Sequence, residues 1–313
     1  MAYLGIDTSN YTTSAALWLR SGELLQQKKL LPVREGALGL RQSDAVFAHV
    51  KQLGALLEPL LRDCPEPVAA VGVSTRPRDV EGSYMPCFLV GELAAQAAAA
   101  ACRAPLHRFS HQAGHLAAAL YSAGRLDLVG RRFGAFHFSG GTSECLLVGP
   151  DEALPFGVEL VGRSLDLKAG QAVDRVGRML GLPFPAGKYL DELAGRSQRQ
   201  FRVRPVLRGL DCSLSGVENR CRQMLDRGEP ACDIARLCME SILAAADGMT
   251  ARFREAYGPL PIVYAGGVMC NSLLRRELAR RHRDCYFANP AFSADNAAGI
   301  AVLVRLAEEG AGC

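Results

Sequence analysis

A strand, a polar turn and a second strand occur twice in this chain, and this repetition constrains the fold more than any other feature. The first copy spans residues 3–19 and carries Asp7 and Ser9 at its turn. The second copy spans residues 133–148, and its turn consists of three small residues: Ser139, Gly140 and Gly141. A polar turn between two strands collects backbone N–H groups and hydroxyls, which suits a phosphate group. The repetition therefore predicts a duplicated α/β fold with a binding site formed by its turns.

A third turn follows the apolar residues 262–265, where Gly266 and Gly267 precede Asn271 and a helical pattern. Glycine lets a flat ring approach the backbone closely, and a helix start suits an anion. No G-x-G-x-x-G follows the first strand, which argues against a dinucleotide-binding fold. Together the three turns predict a nucleotide cleft between two related halves.

Length and composition are those of a globular protein with two lobes. The chain has 313 residues, 49% hydrophobic and 22% charged, and no apolar run reaches the roughly 20 residues of a membrane helix. The polar stretch 123–132 predicts a first lobe at 1–128 and a second at 129–289, with a last helix at 290–313 that returns to the first lobe. Eleven cysteines without a C-x-x-C pair predict reduced thiols in a cytoplasmic protein. The lack of a long apolar run predicts that the chain contacts no membrane.

Arginines are concentrated in two stretches, although the net charge is only +4. The first stretch contains no acidic residue and holds Arg196, Arg199, Arg202, Arg204 and Arg208. The second holds Arg275, Arg276, Arg280, Arg281 and Arg283. Either stretch could follow the phosphate backbone of a nucleic acid. Because most basic residues of this chain are arginines, composition alone also explains such clusters.

The sharpest chemical signal is a pair of histidines, His111 and His115, directly after Ser110. Residues four apart lie on one face of a helix with Cβ atoms roughly 5–6 Å apart, so two imidazoles can share one metal ion. Ser110 is suited to cap that helix. Two solvated or core histidines explain the same spacing. Asp295, at the start of a later helix of small residues, would complete a set of two histidines and one carboxylate.

Eight segments follow one another in a specific order over essentially the whole chain. They are Gly5-Ile6-Asp7-Thr8-Ser9, the pair His111 and His115, Ser139-Gly140-Gly141, residues 166–174, residues 181–187, residues 210–216, Gly266-Gly267 with Asn271, and Asp295-Asn296. In this order they resemble the tRNA threonylcarbamoyltransferase family (TsaD/Gcp-like), long labelled glycoprotease. That family belongs to the actin, sugar-kinase and heat-shock ATPase-like (ASKHA) superfamily. The resemblance implies an α/β fold of two lobes, with mixed sheets flanked by helices around a central nucleotide cleft.

The resemblance also implies roles for individual residues. The metal ligands would be His111, His115 and Asp295, which would hold one divalent ion, iron or zinc. The catalytic end would consist of Ser139, Gly140, Gly141, Asp7 and Ser9, with the glycine loop binding phosphate or the acyl group. The ribose of an adenylate would contact Asp174, Gly187 and Asp191, and its adenine side would contact Gly267 and Asn271.

By the same resemblance, the donor is threonylcarbamoyl-AMP, or ATP, and the acceptor is the exocyclic amine of the tRNA adenosine next to the anticodon. The metal would polarise the acyl donor, and the glycine-loop donors would stabilise charge at the tetrahedral centre. AMP is a good leaving group, so the reaction depends mostly on positioning and requires no side-chain nucleophile. The expected partners are tRNA, bound by the arginine stretches, a degenerate homologue and a small ATPase.

The sequence departs from the family pattern at the reaction end. Asn10 and the next three residues replace Cys-Asp-Glu-Thr, a loop at 75–86 replaces Gly-Pro-Gly, and Thr142 replaces the histidine after Ser-Gly-Gly. Leu167 and Gln171 stand where acidic residues are usual. These changes predict a divergent paralogue that keeps the metal and nucleotide positions.

Three functions therefore stay open. The first is threonylcarbamoyl transfer to tRNA. The second is carbamoyl- or phosphoryl-type transfer to a different acceptor, with Arg76 and Arg78 reading an anion. The third is a non-catalytic, nucleotide-binding partner subunit. A metallopeptidase is disfavoured, because Gln112 stands where H-E-x-x-H enzymes carry a glutamate base.

Overall fold

The computed structural model describes residues 1–9, 11–32, 40–292 and 296–310. Within these residues the strands are β1 (Ala2–Thr8), β2 (Thr12–Trp18), β3 (Leu24–Leu30), β4 (Val68–Arg76), β5 (Leu106–Ser110), β6 (Phe133–Phe138), β7 (Ser143–Gly149), β8 (Gly157–Arg163), β9 (Val206–Arg208), β10 (Asp211–Ser213), β11 (Ile262–Ala265) and β12 (Cys285–Phe287). The helices are α1 (Gln42–Arg62), α2 (Phe88–Cys102), α3 (His111–Ser122), α4 (Ala169–Met179), α5 (Gly187–Gly195), α6 (Ser215–Asp226), α7 (Ala231–Tyr257), α8 (Ser272–Arg281) and α9 (Ala297–Gly310).

The chain divides into two compact units. Unit 1 comprises Met1–Leu126, Asp151–Pro155 and Ala294–Cys313. Unit 2 comprises Asp127–Pro150 and Phe156–Ser293.

Each unit contains a five-stranded mixed sheet of the same design. In unit 1 the strand order is β3-β2-β1-β4-β5, with the pairs β1–β2 and β2–β3 antiparallel and the pairs β1–β4 and β4–β5 parallel. In unit 2 the order is β8-β7-β6-β11-β12, with β6–β7 and β7–β8 antiparallel and β6–β11 and β11–β12 parallel. The same order and directions occur twice, so the predicted duplicated α/β fold is confirmed.

In unit 1 the last helix, α9, packs against β1, β2, β4 and α3. Close approach depends on small residues. A Cβ atom added at Gly5 of β1 would lie 2.3 Å from the carbonyl oxygen of Ala297, so only glycine lets this strand reach the start of α9. The apolar residues of β1 and β2 are buried on both faces between the helices, which explains why these strands read as continuous apolar runs.

In unit 2 the long helix α7 packs against α4, α5, α6 and α8. Its buried Phe253 meets Phe136 of β6 with ring centroids 6.2 Å apart, and Phe136 meets Tyr264 of β11 at 5.4 Å. Aromatic pairs at these separations add to the free energy of burial. This cluster fixes the neighbouring ends of β6 and β11, from which two of the predicted turns emerge.

Two helices and a small hairpin were not expected from the sequence. Helices α5 and α6 are short and flanked by irregular segments, and β9 and β10 have three residues each. The glycine turn after β11 leads into a 3₁₀ helix, Gly267–Cys270, before α8 begins at Ser272. In the part of the chain that the structure describes, no helix combines the length and apolar character needed to cross a membrane.

Candidate active site

The first site residue of unit 1 is Asp7, which lies buried near the end of β1. Its Oδ1 accepts a hydrogen bond from the backbone N–H of Ser9 at 2.8 Å, and its Oδ2 accepts one from Nδ1 of His111 at 2.7 Å. Burial alone raises the pKa of Asp7, but the electrostatic interaction and the hydrogen bond with His111 hold it below its ordinary value. A buried carboxylate is costly unless it is paired, so this contact keeps Asp7 ionised.

The predicted histidine pair lies on the first two turns of α3. Ser110 caps this helix, as predicted, because its hydroxyl oxygen accepts a hydrogen bond from the N–H of Ala113 at 3.2 Å. The rings of His111 and His115 are edge to face, with centroids 4.6 Å apart. A carboxylate only accepts hydrogen bonds, so Nδ1 of His111 carries a proton, and in the tautomer that this contact selects Nε2 is the acceptor nitrogen.

The side-chain amide of Asn296 contacts both the ring and the backbone of His111. Its side-chain nitrogen lies 3.1 Å from the backbone oxygen of His111, 3.1 Å from Nε2 of the ring, and also in contact with Nδ1. Its Oδ1 is buried and has no hydrogen-bond partner among the described residues. Asp295, the predicted third ligand, lies outside the described residues.

This arrangement fits a divalent metal ion, although it does not complete a site. Two imidazoles share one helix face, a buried carboxylate fixes the tautomer of one ring, and an amide oxygen lacks a partner. A metal ion at Nε2 of His111 would take the place that the Asn296 amide holds. Over residues 1–9, 11–32, 40–292 and 296–310, no group of three or more His, Cys, Asp or Glu side chains is arranged to hold a metal.

Glycines bring the start of α9 to the histidine pair. A Cβ atom at Gly299 of α9 would lie 1.8 Å from the carbonyl oxygen of Gly114, which lies between the two histidines on α3. A Cβ atom at Gly114 would meet the side chain of Ile300 at 3.1 Å. The backbones of α3 and α9 therefore touch, which places Asn296 against His111.

Sequence reasoning missed His49, a fully buried histidine of α1 that supports the first turn. Its Nε2 lies 2.8 Å from the carbonyl oxygen of Ser9 and its Nδ1 lies 2.8 Å from the hydroxyl of Thr13. Since a carbonyl only accepts, Nε2 donates and Nδ1 accepts from Thr13. Burial lowers the pKa of His49, against the opposing effects of Ser9 and Asp7. A polar residue on the buried stripe of α1, between Ala45 and Leu53, was the available signal.

In unit 2 the predicted Ser139 turn joins β6 to β7 and is bonded to itself. The hydroxyl oxygen of Ser139 accepts from the N–H groups of Gly141 at 3.3 Å and Thr142 at 3.1 Å, and lies 2.8 Å from the Thr142 hydroxyl. Gly140 and Gly141 are exposed. A Cβ atom at Gly170 of α4 would lie 2.6 Å from the nitrogen of Gly140, so α4 begins directly beneath this turn.

The second predicted turn of unit 2 lies beside the first, because β11 pairs in parallel with β6. Gly266 has φ of 90°, and a Cβ atom there would lie 2.3 Å from the carbonyl oxygen of Phe138, so glycine is required. The neighbouring Gly267 is exposed and has open space around it. Asn271 caps α8 by accepting from the N–H of Leu274 at 3.0 Å, and its buried Nδ2 has no partner among the described residues.

The predicted ribose ligands of unit 2 join helices to one another. Asp174 of α4 accepts from the N–H of Ala186 at 2.9 Å, immediately before Gly187 opens α5. Burial raises the pKa of Asp174, and this hydrogen bond opposes the shift. Asp191 of α5 accepts from the N–H of Ser272 at 3.0 Å and from its hydroxyl at 2.8 Å. Both carboxylates therefore have structural hydrogen bonds.

The structure gathers the predicted residues into two groups, one per unit. Unit 1 holds Asp7, Ser9, His111 and His115 in one cluster. Unit 2 holds the two glycine turns, with Asn271 and Asp191 meeting at the start of α8 and Asp174 at the start of α5. The buried amide nitrogen of Asn271 in the second group has no hydrogen-bond partner among the described residues.

The two arginine stretches differ in how many of their arginines form ion pairs. In the second stretch Arg280 pairs with Glu277 at 3.0 Å, and Arg281 pairs with Asp247 at 2.7 Å. In the first stretch Arg199 pairs with Glu229. Four exposed arginines of that stretch form no ion pair with another described residue: Arg196, Arg202, Arg204 and Arg208. The first stretch is therefore the better candidate for a phosphate backbone.

Comparison with known proteins gives a family. A family model described as "tRNA N6-adenosine threonylcarbamoyltransferase" (TsaD) matches residues 35–302. The protein of that name from Geotalea uraniireducens (strain Rf4) is 30% identical over 326 residues, which cover 96% of this chain and 90% of that protein.

Solved structures show the same fold at low sequence identity. Component A of (R)-2-hydroxyglutaryl-CoA dehydratase from Acidaminococcus fermentans is similar with a TM-score of 0.58 and 15% identity, covering 98% of this chain and 99% of that one. HypF from T. kodakarensis is similar with a TM-score of 0.63 and 12% identity, covering 99% of this chain and 48% of that one. The fold is that of the actin-like ATPases and sugar kinases, as predicted.

Proposed function

Because this chain belongs to the tRNA N6-adenosine threonylcarbamoyltransferase family, we propose that it moves a threonylcarbamoyl group from threonylcarbamoyl-AMP to tRNA. The acceptor is the exocyclic amine of the adenosine next to the anticodon. The observation that carries this proposal is the buried Asp7 carboxylate bonded to His111, beside His115, on a capped helix start. Titratable groups that are buried and paired in this way occur more often at functional sites than elsewhere.

We propose that His111, His115 and Asp295 hold one divalent ion, iron or zinc. When bound, the ion would supply a Lewis acid for the acyl donor. Asp7 fixes the tautomer of His111 so that Nε2 presents its lone pair. Ser9 holds Asp7 through its backbone N–H, and His49 holds Ser9 through its carbonyl oxygen.

The adenylate is assigned to unit 2. The buried and unpartnered Nδ2 of Asn271 is a donor suited to an acceptor atom of the adenosine. Gly267 leaves the space that a flat ring needs, and Asp174, Gly187 and Asp191 are assigned to the ribose. In the turn at Ser139, Gly140 and Gly141, the N–H of Gly141 would turn from the Ser139 hydroxyl to an anionic oxygen of the donor.

The chemical step is an acyl transfer without an enzyme-bound acyl group. The amine nitrogen forms a bond to the carbamoyl carbon, the bond from that carbon to the phosphate oxygen of AMP breaks, and the amine loses one proton. AMP leaves as a stabilised anion, so the chain's contribution is positioning and stabilisation of charge. This assignment needs no nucleophile from the protein.

We propose tRNA as the macromolecular substrate and assign its backbone to the exposed arginines Arg202, Arg204 and Arg208. The resemblance to the family further supports a degenerate homologue and a small ATPase as protein partners. The alternative in which Arg76 reads an anionic acceptor has less support, because Arg76 is bonded to Asp79 at 2.9 Å. A peptidase also lacks support, because Gln112 follows His111.

Reconstitution tests the proposal. The chain, the partner proteins of the same organism, unmodified tRNA and threonylcarbamoyl-AMP are combined, and the modified nucleoside is measured by mass spectrometry. We expect product with the wild type and with the matched control His107→Ala. His107 lies near the start of β5, and its ring pairs with Glu308 of α9. We expect no product with His111→Ala or Asp295→Ala. AMP binding without product in the wild type would favour a different acceptor, and neither binding nor product would favour a scaffold.

A further inference from the structure

The loop at 75–86, which departs from the family pattern, is bonded to the start of the helix that carries the histidine pair. Asp79 Oδ1 accepts hydrogen bonds from Nε of Arg76 at 2.9 Å and from Nη2 at 2.5 Å. Asp79 Oδ2 accepts a hydrogen bond from the hydroxyl of Ser110 at 2.5 Å. The N–H of Gln112 donates to the carbonyl oxygen of Pro77 at 3.0 Å. The loop therefore contacts α3 at the residues immediately before and after its first histidine.

The contact with Ser110 controls the cap of α3. A serine hydroxyl has one hydrogen, and Asp79 takes it, so the lone pairs of Ser110 point to the helix, where one accepts from Ala113. A carboxylate beside a helix start also interacts favourably with the partial positive charge there. Arg76 in turn fixes Asp79, whose side chain is only 18% exposed. Each link therefore orients the next, from Arg76 to the helix.

We propose that Asp79, held by Arg76, is a positioning residue for the histidine pair. It fixes the cap of α3 and thereby the directions in which His111 and His115 offer their ring nitrogens. The inference rests on the proposed function, since it takes these histidines as metal ligands. It also gives the divergent loop a role, because Arg76 then serves to hold Asp79 and does not read an anionic acceptor.

Titration of the metal-free full-length chain with Co²⁺ tests this inference without any assay of activity. Replacing a supporting group outside the ligands typically weakens metal binding about 10–100-fold. Because Asp79 acts through Ser110, we expect Asp79→Ala to weaken Co²⁺ binding about tenfold and to change the visible spectrum of the bound ion. Asp79→Asn keeps an oxygen for the Ser110 hydroxyl and should lose less affinity. The matched control is Asp44→Ala, which removes an acidic side chain from the first turn of α1.

A double-mutant cycle of Asp79→Ala and Ser110→Ala tests whether Asp79 acts through the Ser110 hydroxyl. If Asp79 acts through this hydroxyl, Asp79→Ala adds no further loss of Co²⁺ affinity to Ser110→Ala. Additive losses would contradict the route. Circular dichroism confirms that each variant is folded. Where Asp79→Ala is unfolded, Arg76→Gln takes its place, with weaker Co²⁺ binding expected and unchanged binding counting against the inference.

The outcomes separate this inference from the proposed function. Equal Co²⁺ affinity of Asp79→Ala and the wild type overturns the positioning role and leaves the proposed metal site intact. A wild type that binds no Co²⁺ overturns the metal part of the proposed function, and the inference falls with it. Weaker binding by Asp79→Ala, with Asp44→Ala like the wild type, supports both.

Discussion

Gly299→Ala is the substitution for which the structure gives the clearest expectation. The added Cβ would lie 1.8 Å from the carbonyl oxygen of Gly114 and 2.9 Å from the nitrogen of Ala118, both on α3. Ordinary contact begins at 3.4 Å, so the two helix backbones would have to separate by about 1.6 Å. No rotamer change can relieve this contact, because both neighbours are backbone atoms.

Two effects of opposite sign determine the change in the free energy of unfolding. Overpacking a tight core costs about 1–3 kcal/mol, and a contact between backbones places this case near 3. Alanine is a better helix former than glycine by about 1 kcal/mol. The net loss is therefore about 2 kcal/mol, which lowers the melting temperature of a unit of this size by about 4–8 °C.

Thermal unfolding followed by circular dichroism measures the effect. Gly54→Ala is the matched control, because Gly54 lies inside α1 and a Cβ atom there would have open space. It should gain about 1 kcal/mol from helix propensity alone. A Gly299→Ala protein that melts at or above the wild-type temperature would refute the close approach of α3 and α9.

Three further predictions concern other parts of the chain. Asp7→Asn should weaken Co²⁺ binding about 10–100-fold, measured by titration, because the carboxylate that fixes His111 is lost. For Asp247, burial raises the pKa, but hydrogen bonds from His282 and Arg281 lower it below the ordinary 3.8. The stabilisation from these contacts is present above the unfolded pKa and is lost as pH falls through the folded pKa. In urea the wild type should therefore lose more stability than Asp247→Asn as the pH falls below about 3.8. Arg204→Ala should weaken tRNA binding and reduce by about 1 the slope of the logarithm of the binding constant against the logarithm of the salt concentration. Arg281 is already paired with Asp247, so Arg281→Ala should change this slope less.

The local features of the fold could be predicted because they follow from short spacings. Apolar runs around polar turns gave the hairpins β1–β2 and β6–β7. The serine before the histidine pair gave the cap of α3. A histidine spacing of four residues placed both rings on one helix face. Short elements such as α5 and α6 escaped detection, because nine to twelve residues between irregular segments give too few turns for a clear apolar period.

The interactions that make a site out of these features join distant parts of the sequence. Asp7 and His111 are 104 residues apart, and His111 and Asn296 are 185 apart. Asp191 and Ser272 meet across 81 residues. The apolar periodicity of a single helix or strand does not predict such long-range pairs. The two pairs of His111 form because β1 pairs with β4 and because glycines let α9 contact β1 and α3. The sequence by itself determined the duplicated α/β design, the capped helix and its two histidines. Only the tertiary structure decided that Asp7, Asp79 and Asn296 surround that helix start, since backbone contact between packed elements sets which side chains meet.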